Sequence, residues 1–403
     1  MLQVLKLFAA MCSIGLMAEI RSKSNKKFML LSALGIFMVV DSHTWTAFNL
    51  FVSFIPYNSF FMPMFVFISG YFNKVGSDTE LGKYTLKKMK TLLLPYAGIS
   101  LAVFGLQFLI NWFKLGVIQP VPSGYLLYVL ENVITTGTPN SMATPMWFVI
   151  TLFATLMIYA LLKKLLGKIW NSYIMLAIFT CLHLGVIYLV KAVGPETLTY
   201  WLLPLKVLFF LPFLEMGIIY RDRLEGLHTK LTGGIKIGIM AVLLLFNMAR
   251  TMYLPNAYDV AFDDIGELAG FTSPYIVTPL ISSIVGILFW LTLVDLIGKP
   301  LQESRFVNFM SCNTFWIMGF HITFFNILNC ILMFVNEHIV DVLYFDTEFF
   351  QESEWYRWEL ADSFKVVYVV VGVLGPLGLK WIFDKLVLAV GRLLGRKELK
   401  PRT

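Results

Sequence analysis

Long apolar stretches recur from one end of the chain to the other, separated by short polar segments. They predict spans near 28–50, 59–73, 91–115, 144–163, 170–192, 199–220, 235–253, 275–297, 307–335 and 364–385. A helix is one of only two ways to satisfy backbone polar groups in lipid. The other is a closed barrel, and the polar–apolar alternation of barrel strands is absent. Charge alternates from one polar segment to the next. Segments expected on the cytoplasmic side hold Arg21, Lys23, Lys26 and Lys27; Lys83, Lys87, Lys88 and Lys90; Lys163, Lys164 and Lys168; Arg221, Arg223 and Lys230; Lys299 and Arg305. The tail adds Arg392, Arg396, Lys397, Lys400 and Arg402. Segments 117–143, 193–198 and 254–274, expected on the far side, hold no Lys or Arg, and 336–363 is acidic with only Arg357. The positive-inside rule then gives an all-α polytopic transmembrane bundle of about ten spans with a cytoplasmic C-terminus.

Residues 1–20 leave three readings open: an eleventh span, an interfacial helix interrupted by Lys6 and Glu19, or a degenerate signal peptide. No small-x-small pattern precedes Arg21, which disfavours the last. No repeat or long linker divides the remainder. The organisation is therefore an N-terminal apolar helix and basic loop (1–27), a transmembrane domain (28–390) and a basic cytoplasmic tail (391–403).

Composition sharpens this picture. Hydrophobic residues make up 58% of the 403 and charged residues 14%, whereas a soluble domain needs roughly a quarter of its residues charged. The net charge of +7 does not indicate nucleic acid, because the basic residues sit in short segments between spans. Cys12, Cys181, Cys312 and Cys330 lie in apolar stretches without metal-ligand spacing, so they read as small buried hydrophobes and no metal is expected. Trp355 and Trp358 among the carboxylates of 336–363 suit an interfacial belt better than a sugar site.

Ionisable groups inside a span are costly and mark functional candidates. This reading finds Asp41, His43, His183, Lys206, Glu215, Arg250 and His321, with Ser311 and Asn313 preceding His321. His43 lies 15 residues into its stretch (28 to 43) and His321 lies 14 into its own (307 to 321). At about 1.5 Å rise per residue, both imidazoles reach roughly 20 Å above the same membrane edge. Imidazole titrates near neutrality, which suits it to take a proton from a hydroxyl nucleophile. Asp41 cannot orient His43 on a regular helix, because two positions are about 200° apart. His183 reads as structural. Lys206 either neutralises a substrate or snorkels outward. Ser69 and Gly70 permit close helix approach or exposed backbone. The Lys83–Lys90 cluster is by default a solvated loop; its functional reading is a dock for the phosphates of a nucleotide-bearing donor. No Walker loop, dinucleotide fingerprint, HExxH or GxSxG occurs.

Six segments, in order, resemble the acyltransferase-3 family of integral membrane acyltransferases, including its sugar O-acetylase branch. GIFMVVDSHTW and FFMPMFVFISGYF resemble its apolar run ending in histidine, then its aromatic-Pro-aromatic segment closing in Ser-Gly-Tyr. LKKMKTLLLPY, MWFVITLF, LFFLPFLEMGIIYR and SCNTFWIMGFH are similar to its later motifs. The resemblance implies His43 as the catalytic histidine and His321 on the acceptor side. It implies Ser69, Gly70, Trp147 and Asn313 about the substrate, where the reading of ionisable groups adds Lys206, and Lys87, Lys88 and Lys90 on the donor's phosphates. Acetyl-CoA would be the donor, and a carbohydrate or glycolipid hydroxyl the acceptor. Ser32 stands where many members carry an arginine, eleven positions before the histidine; either Lys26 or Lys27 substitutes from the helix entrance, or the donor is held differently. The expectation is a multi-pass enzyme of the plasma membrane. A transporter or flippase for a lipid-linked sugar is the alternative, since midplane ionisable groups suit it too; a sensory subunit gives no reason for two depth-matched histidines.

Overall fold

The computed structural model describes residues 25–44, 55, 59–112, 125–138, 141–194, 196–253, 276–340 and 365–393. Residues 1–24, with Cys12, and the acidic segment from 341, with Trp355 and Trp358, lie outside this set, as does the tail from 394. Fifteen α-helices follow in chain order among the described residues. They are α1 (Lys26–Ser42), α2 (Phe61–Phe72), α3 (Leu81–Lys88), α4 (Leu94–Trp112), α5 (Tyr125–Thr135), α6 (Trp147–Leu166), α7 (Ser172–Val193) and α8 (Leu202–Ile219). Then come α9 (Glu225–Lys230), α10 (Gly233–Tyr253), α11 (Thr278–Ile297), α12 (Lys299–Gln302), α13 (Arg305–Cys312), α14 (Thr314–His338) and α15 (Lys365–Leu393). No strand occurs among the described residues. Every predicted span carries a helix, and 8 helices are long and apolar enough to cross a membrane. The 12-residue α2 is shorter, about 18 Å against a hydrocarbon core of roughly 30 Å.

Local sequence explains the boundaries. The side chains of Asn25, Asn171 and Ser304 accept backbone N–H groups at the starts of α1, α7 and α13. Gly194 and Gly298 end α7 and α11 at φ 85° and 75°, where a side chain would be strained. The structure corrects four expectations. The lysine-rich segment Lys83–Lys90 is helical: α3 continues into α4 through a π-turn, Met89–Leu93. Likewise α8 runs through Tyr220–Leu224 into α9, because Lys, Arg and Leu favour helix once a neighbouring span has nucleated it. Segment 117–143, expected as a loop, contains α5. The stretch 307–335 is two helices. At Asn313 (φ −127°, ψ 26°) the side chain donates to the Phe309 carbonyl, while its own carbonyl accepts from Trp316 and Ile317 and starts α14.

The core centres on α8, which is buried along most of its length, whereas α10 lies on the periphery. α8 packs on α2, α7 and α6, and α14 packs on α15, α1 and α4. Gly70 of α2 and Gly217 of α8 allow the first contact: a Cβ at Gly70 would overlap the Leu214 carbonyl, and one at Gly217 the Phe67 carbonyl. α15 is fitted across α1 and α14 in the same manner, since a Cβ at Gly372 would meet Phe325 and Val40. Of the cysteines, Cys181 is exposed on α7 rather than buried, facing outward with the apolar residues around it; Cys312 and Cys330 are half-buried.

Candidate active site

His43 ends α1. It follows Ser42 at φ −81° and ψ 1°, half-buried, with ring Nδ1 2.6 Å from the Val39 carbonyl. His321, fully buried in α14, holds Nδ1 2.9 Å from the Ile317 carbonyl. Each partner is a carbonyl one turn back, which can only accept. Nδ1 therefore carries the proton of the neutral ring, and Nε2 carries the lone pair. The ring centroids lie 4.9 Å apart at 63°, so two stretches distant in sequence bring their histidines into direct contact. Two of the carbonyls at the end of α1, those of Val39 and Asp41, take further donors. Ser42 Oγ donates to Val39 (2.9 Å), and Thr44 N and Oγ1 donate to Asp41 O at 3.2 and 2.7 Å.

Asp41 does not support His43 through its carboxylate, as the helical angle requires. Its Oδ1 instead lies 3.1 Å from Lys365 Nζ at the start of α15, with both side chains within 1% of complete burial. Sequence reasoning missed this partner because Lys365 stands one residue inside its span edge, where snorkelling explains a lysine. Further along α15, Tyr368 packs edge-on against Phe325, which packs edge-on against His321, and the tyrosine hydroxyl donates to Asn329.

Trp147 and Lys206 come together: Nζ lies 4.2 Å from the indole centroid and donates to the Thr136 carbonyl at 3.0 Å. Met146, the neighbour of Trp147, packs against α14 at Gly319, two positions before His321. This pair thus borders the histidine helix. Asn313 starts that helix but stands away from the histidine, eight positions or about 12 Å before it, and its side chain turns back onto Phe309. Ser69 and Gly70 also stand apart. α2 runs antiparallel to α1, with Gly35 against Met64 and Phe28 stacked on Tyr71, so Ser69 and Gly70 flank the beginning of α1 rather than its histidine. Of the three donor lysines, Lys87 and Lys90 are exposed, while Lys88 is buried with Nζ 5.5 Å from the Tyr84 ring.

A second polar constellation occupies the lysine-rich end of the bundle. Asp295 receives Lys27 and Lys236, each at 3.0 Å, joining α11 to α1 and α10. Lys27 also donates to the Tyr220 hydroxyl at 3.0 Å and lies 3.4 Å from His228 Nδ1. Beside it, Glu225 accepts from Tyr71 (2.8 Å) and Asn25 (3.1 Å), and Arg221 donates to the carbonyls of Tyr71 and Asn73 that end α2. Sequence reasoning passed over Lys236 and Asp295, again because each is within two residues of a span edge. Deeper in, Glu215 accepts from Tyr159 at 2.6 Å, and His183 is buried with Nδ1 2.8 Å from the Phe209 carbonyl, joining α7 to α8. Among the described residues, no three His, Cys, Asp or Glu side chains converge as metal ligands would.

Residues 28–382 match the acyltransferase-3 family model, described as an acyltransferase domain. No curated protein and no solved structure matches the chain.

Proposed function

Because the match spans most of its length, the chain belongs to the acyltransferase-3 family and is a multi-pass membrane acyltransferase; we propose that it moves an acetyl or similar acyl group from acyl-CoA to a hydroxyl of a cell-surface or exported carbohydrate. The observation that carries this reading is the His43–His321 contact, ring centroids 4.9 Å apart, between the end of α1 and the interior of α14. Nε2 of His43 takes the proton as the acceptor oxygen attacks the thioester carbonyl. The C–S bond breaks, and the imidazolium returns that proton to the departing CoA thiolate, so the step balances with no other reactant. Transient acylation of His43 is the other route the same nitrogen offers.

His321 faces His43 from the acceptor side in this scheme, and the Trp147–Lys206 pair beside α14 gives an aromatic face and a cation for a sugar. Lys87 and Lys90 are the exposed charges for the donor's phosphates. Charge alternation supports a cytoplasmic donor side and C-terminus, and the plasma membrane is the location that suits an exported acceptor. The transporter alternative has no support from the family match.

The test is thiol release from acetyl-CoA by detergent-purified protein supplied with hydrolysed envelope glycan from the source organism. Release by wild type and none by folded His43→Ala is the expected outcome. Near-normal turnover in His43→Ala removes the centre of the scheme.

A further inference from the structure

We propose that His228 is a proton-operated latch: its neutral imidazole closes the network that ties the starts of α1 and α10 to α9 and α11, and a proton on Nδ1 opens it. The proposal does not depend on the acyl-transfer reading.

The argument begins with where the protons are. Lys27 Nζ lies 3.0 Å from the Tyr220 oxygen and 3.4 Å from His228 Nδ1, and the Tyr220 oxygen lies 2.8 Å from the same ring nitrogen. An ammonium can only donate, so the nitrogen beside it carries a lone pair. Tyr220, accepting from Lys27, directs its own proton to Nδ1. On the other side of the ring, Nε2 lies 3.4 Å from Thr292 Oγ1, which has given its hydrogen to the Leu288 carbonyl at 2.7 Å. Nε2 therefore carries the ring's proton. The result is a chain with one direction, from Lys27 through Tyr220, His228 and Thr292 to Leu288. It joins α1, the π-turn after α8, α9 and α11.

Imidazole takes up a second proton near pH 6.5 in water, about where a cell's interior pH can move it. Here that proton would land on Nδ1 and reverse one link. The Tyr220 oxygen would then receive from both Lys27 and Nδ1, and its own hydrogen would lose its acceptor, since these two are its hydrogen-bond partners among the described residues. Charge balance turns the same way. The charged groups facing the ring are Lys27 of α1, Asp295 of α11, whose Oδ2 lies 3.9 Å from Nδ1, and Lys236 of α10 on that carboxylate. The nearest charge is thus positive, and the one carboxylate already holds two ammonium groups at 3.0 Å. Glu225, one turn earlier on α9, is committed to Tyr71 and Asn25. Arg221 is committed to Asp222 and to the carbonyls ending α2. The side chains of Lys27, Lys236, Asp295 and His228 are 7–13% exposed, so water screens them poorly. A third cation at this carboxylate displaces one of the two lysines, and with it the start of α1 or of α10. The sign follows: the closed network takes His228 neutral, so its contribution is present above about pH 6.5 and is lost as pH falls.

The experiment is hydrogen exchange of the full chain in detergent at pH 7.5 and pH 5.5, read by mass spectrometry and corrected for intrinsic exchange rates. In wild type, amides at the starts of α1 and α10 should lose protection by about five- to tenfold at the lower pH. That is the change expected when a group titrating near 6.5 in the open form stays neutral in the closed one. The end of α6, at the same end of the bundle but outside the network, should change less than about twofold. His228→Gln keeps an amide donor and acceptor but takes up no proton, and its two protections should agree at both pH values within about twofold; His228→Asn replaces it if the glutamine variant gives no folded protein. Unchanged protection in wild type overturns the proposal. So does an equal loss in the amide variant, which would place the titrating group elsewhere, or a loss that extends to α6, which would mean general acid unfolding.

Discussion

The two polar regions of this bundle are built on opposite plans. At the lysine-rich end, side chains reach across helices. Lys27 meets Asp295, Tyr220 and His228 on three other segments, and Asp295 also receives Lys236. At the level of the histidines, each ring is fixed by its own helix, through Nδ1 to a carbonyl one turn back, and the rings meet edge to face. A network that consumes its donors and acceptors in tying helices together has little left for chemistry. A ring oriented through one nitrogen keeps a lone pair on the other. The difference separates a latch from a reactive centre, although both are clusters of titratable groups in an apolar protein.

Substitutions can test that separation. The largest effect is expected from His43→Ala: a loss of about 10²- to 10⁴-fold in thiol release, the usual contribution of a positioned general base, with the melting temperature in detergent little changed. Next comes Asp295→Asn. It leaves two ammonium groups facing each other across a mostly buried site, so a destabilisation of about 3 kcal/mol is expected in thermal or denaturant unfolding. Turnover per folded molecule should stay near wild type. If Asp295→Asn instead abolishes turnover in stable protein, the lysine-rich cluster is part of the reactive centre and the comparison collapses. Gly217→Ala should cost about 1–3 kcal/mol by pressing a methyl group into the Phe67 carbonyl, again a loss of stability rather than of rate. The smallest effect is expected from Lys87→Ala and Lys90→Ala. Exposed and screened, each should raise KM for acetyl-CoA by about two- to fivefold at low salt, and less at high salt, with kcat unaltered. A fall in kcat would place these lysines nearer the chemistry than their exposure suggests.

Much of this architecture is legible in the residue pattern, for physical reasons that also mark where legibility stops. Span positions and the shared depth of His43 and His321 can be counted, because a helix converts residue number into height and the basic segments supply the zero. Azimuth cannot be counted across a break. The turn at Asn313 resets the register between α13 and α14, so Asn313 looks like a companion of His321 in sequence and points elsewhere in space. Ser69 and Gly70 show the same limit: small residues announce a close approach but not what approaches, and here it is the Leu214 backbone rather than a substrate. The Asp41–Lys365 pair is invisible for a third reason. A lysine at a span edge has an adequate local explanation, and nothing local names a carboxylate 324 positions earlier, at 41.

The glycine contacts have a mechanical corollary. Where a backbone carbonyl of one helix lies against a glycine of another, no side chain intervenes to act as a bearing, and the two helices cannot shear without collision. α2 with α8, joined at Gly70 and Gly217, is one such stave; α14 and α15 form a second by other means, the rings of Phe325 and Phe324 filling the notches at Gly372 and Gly375. α1 runs between them, touching both α2 and α14. Any breathing of the bundle that widens a passage therefore divides it between staves rather than within them, and the seam along which it parts is the helix that ends in His43.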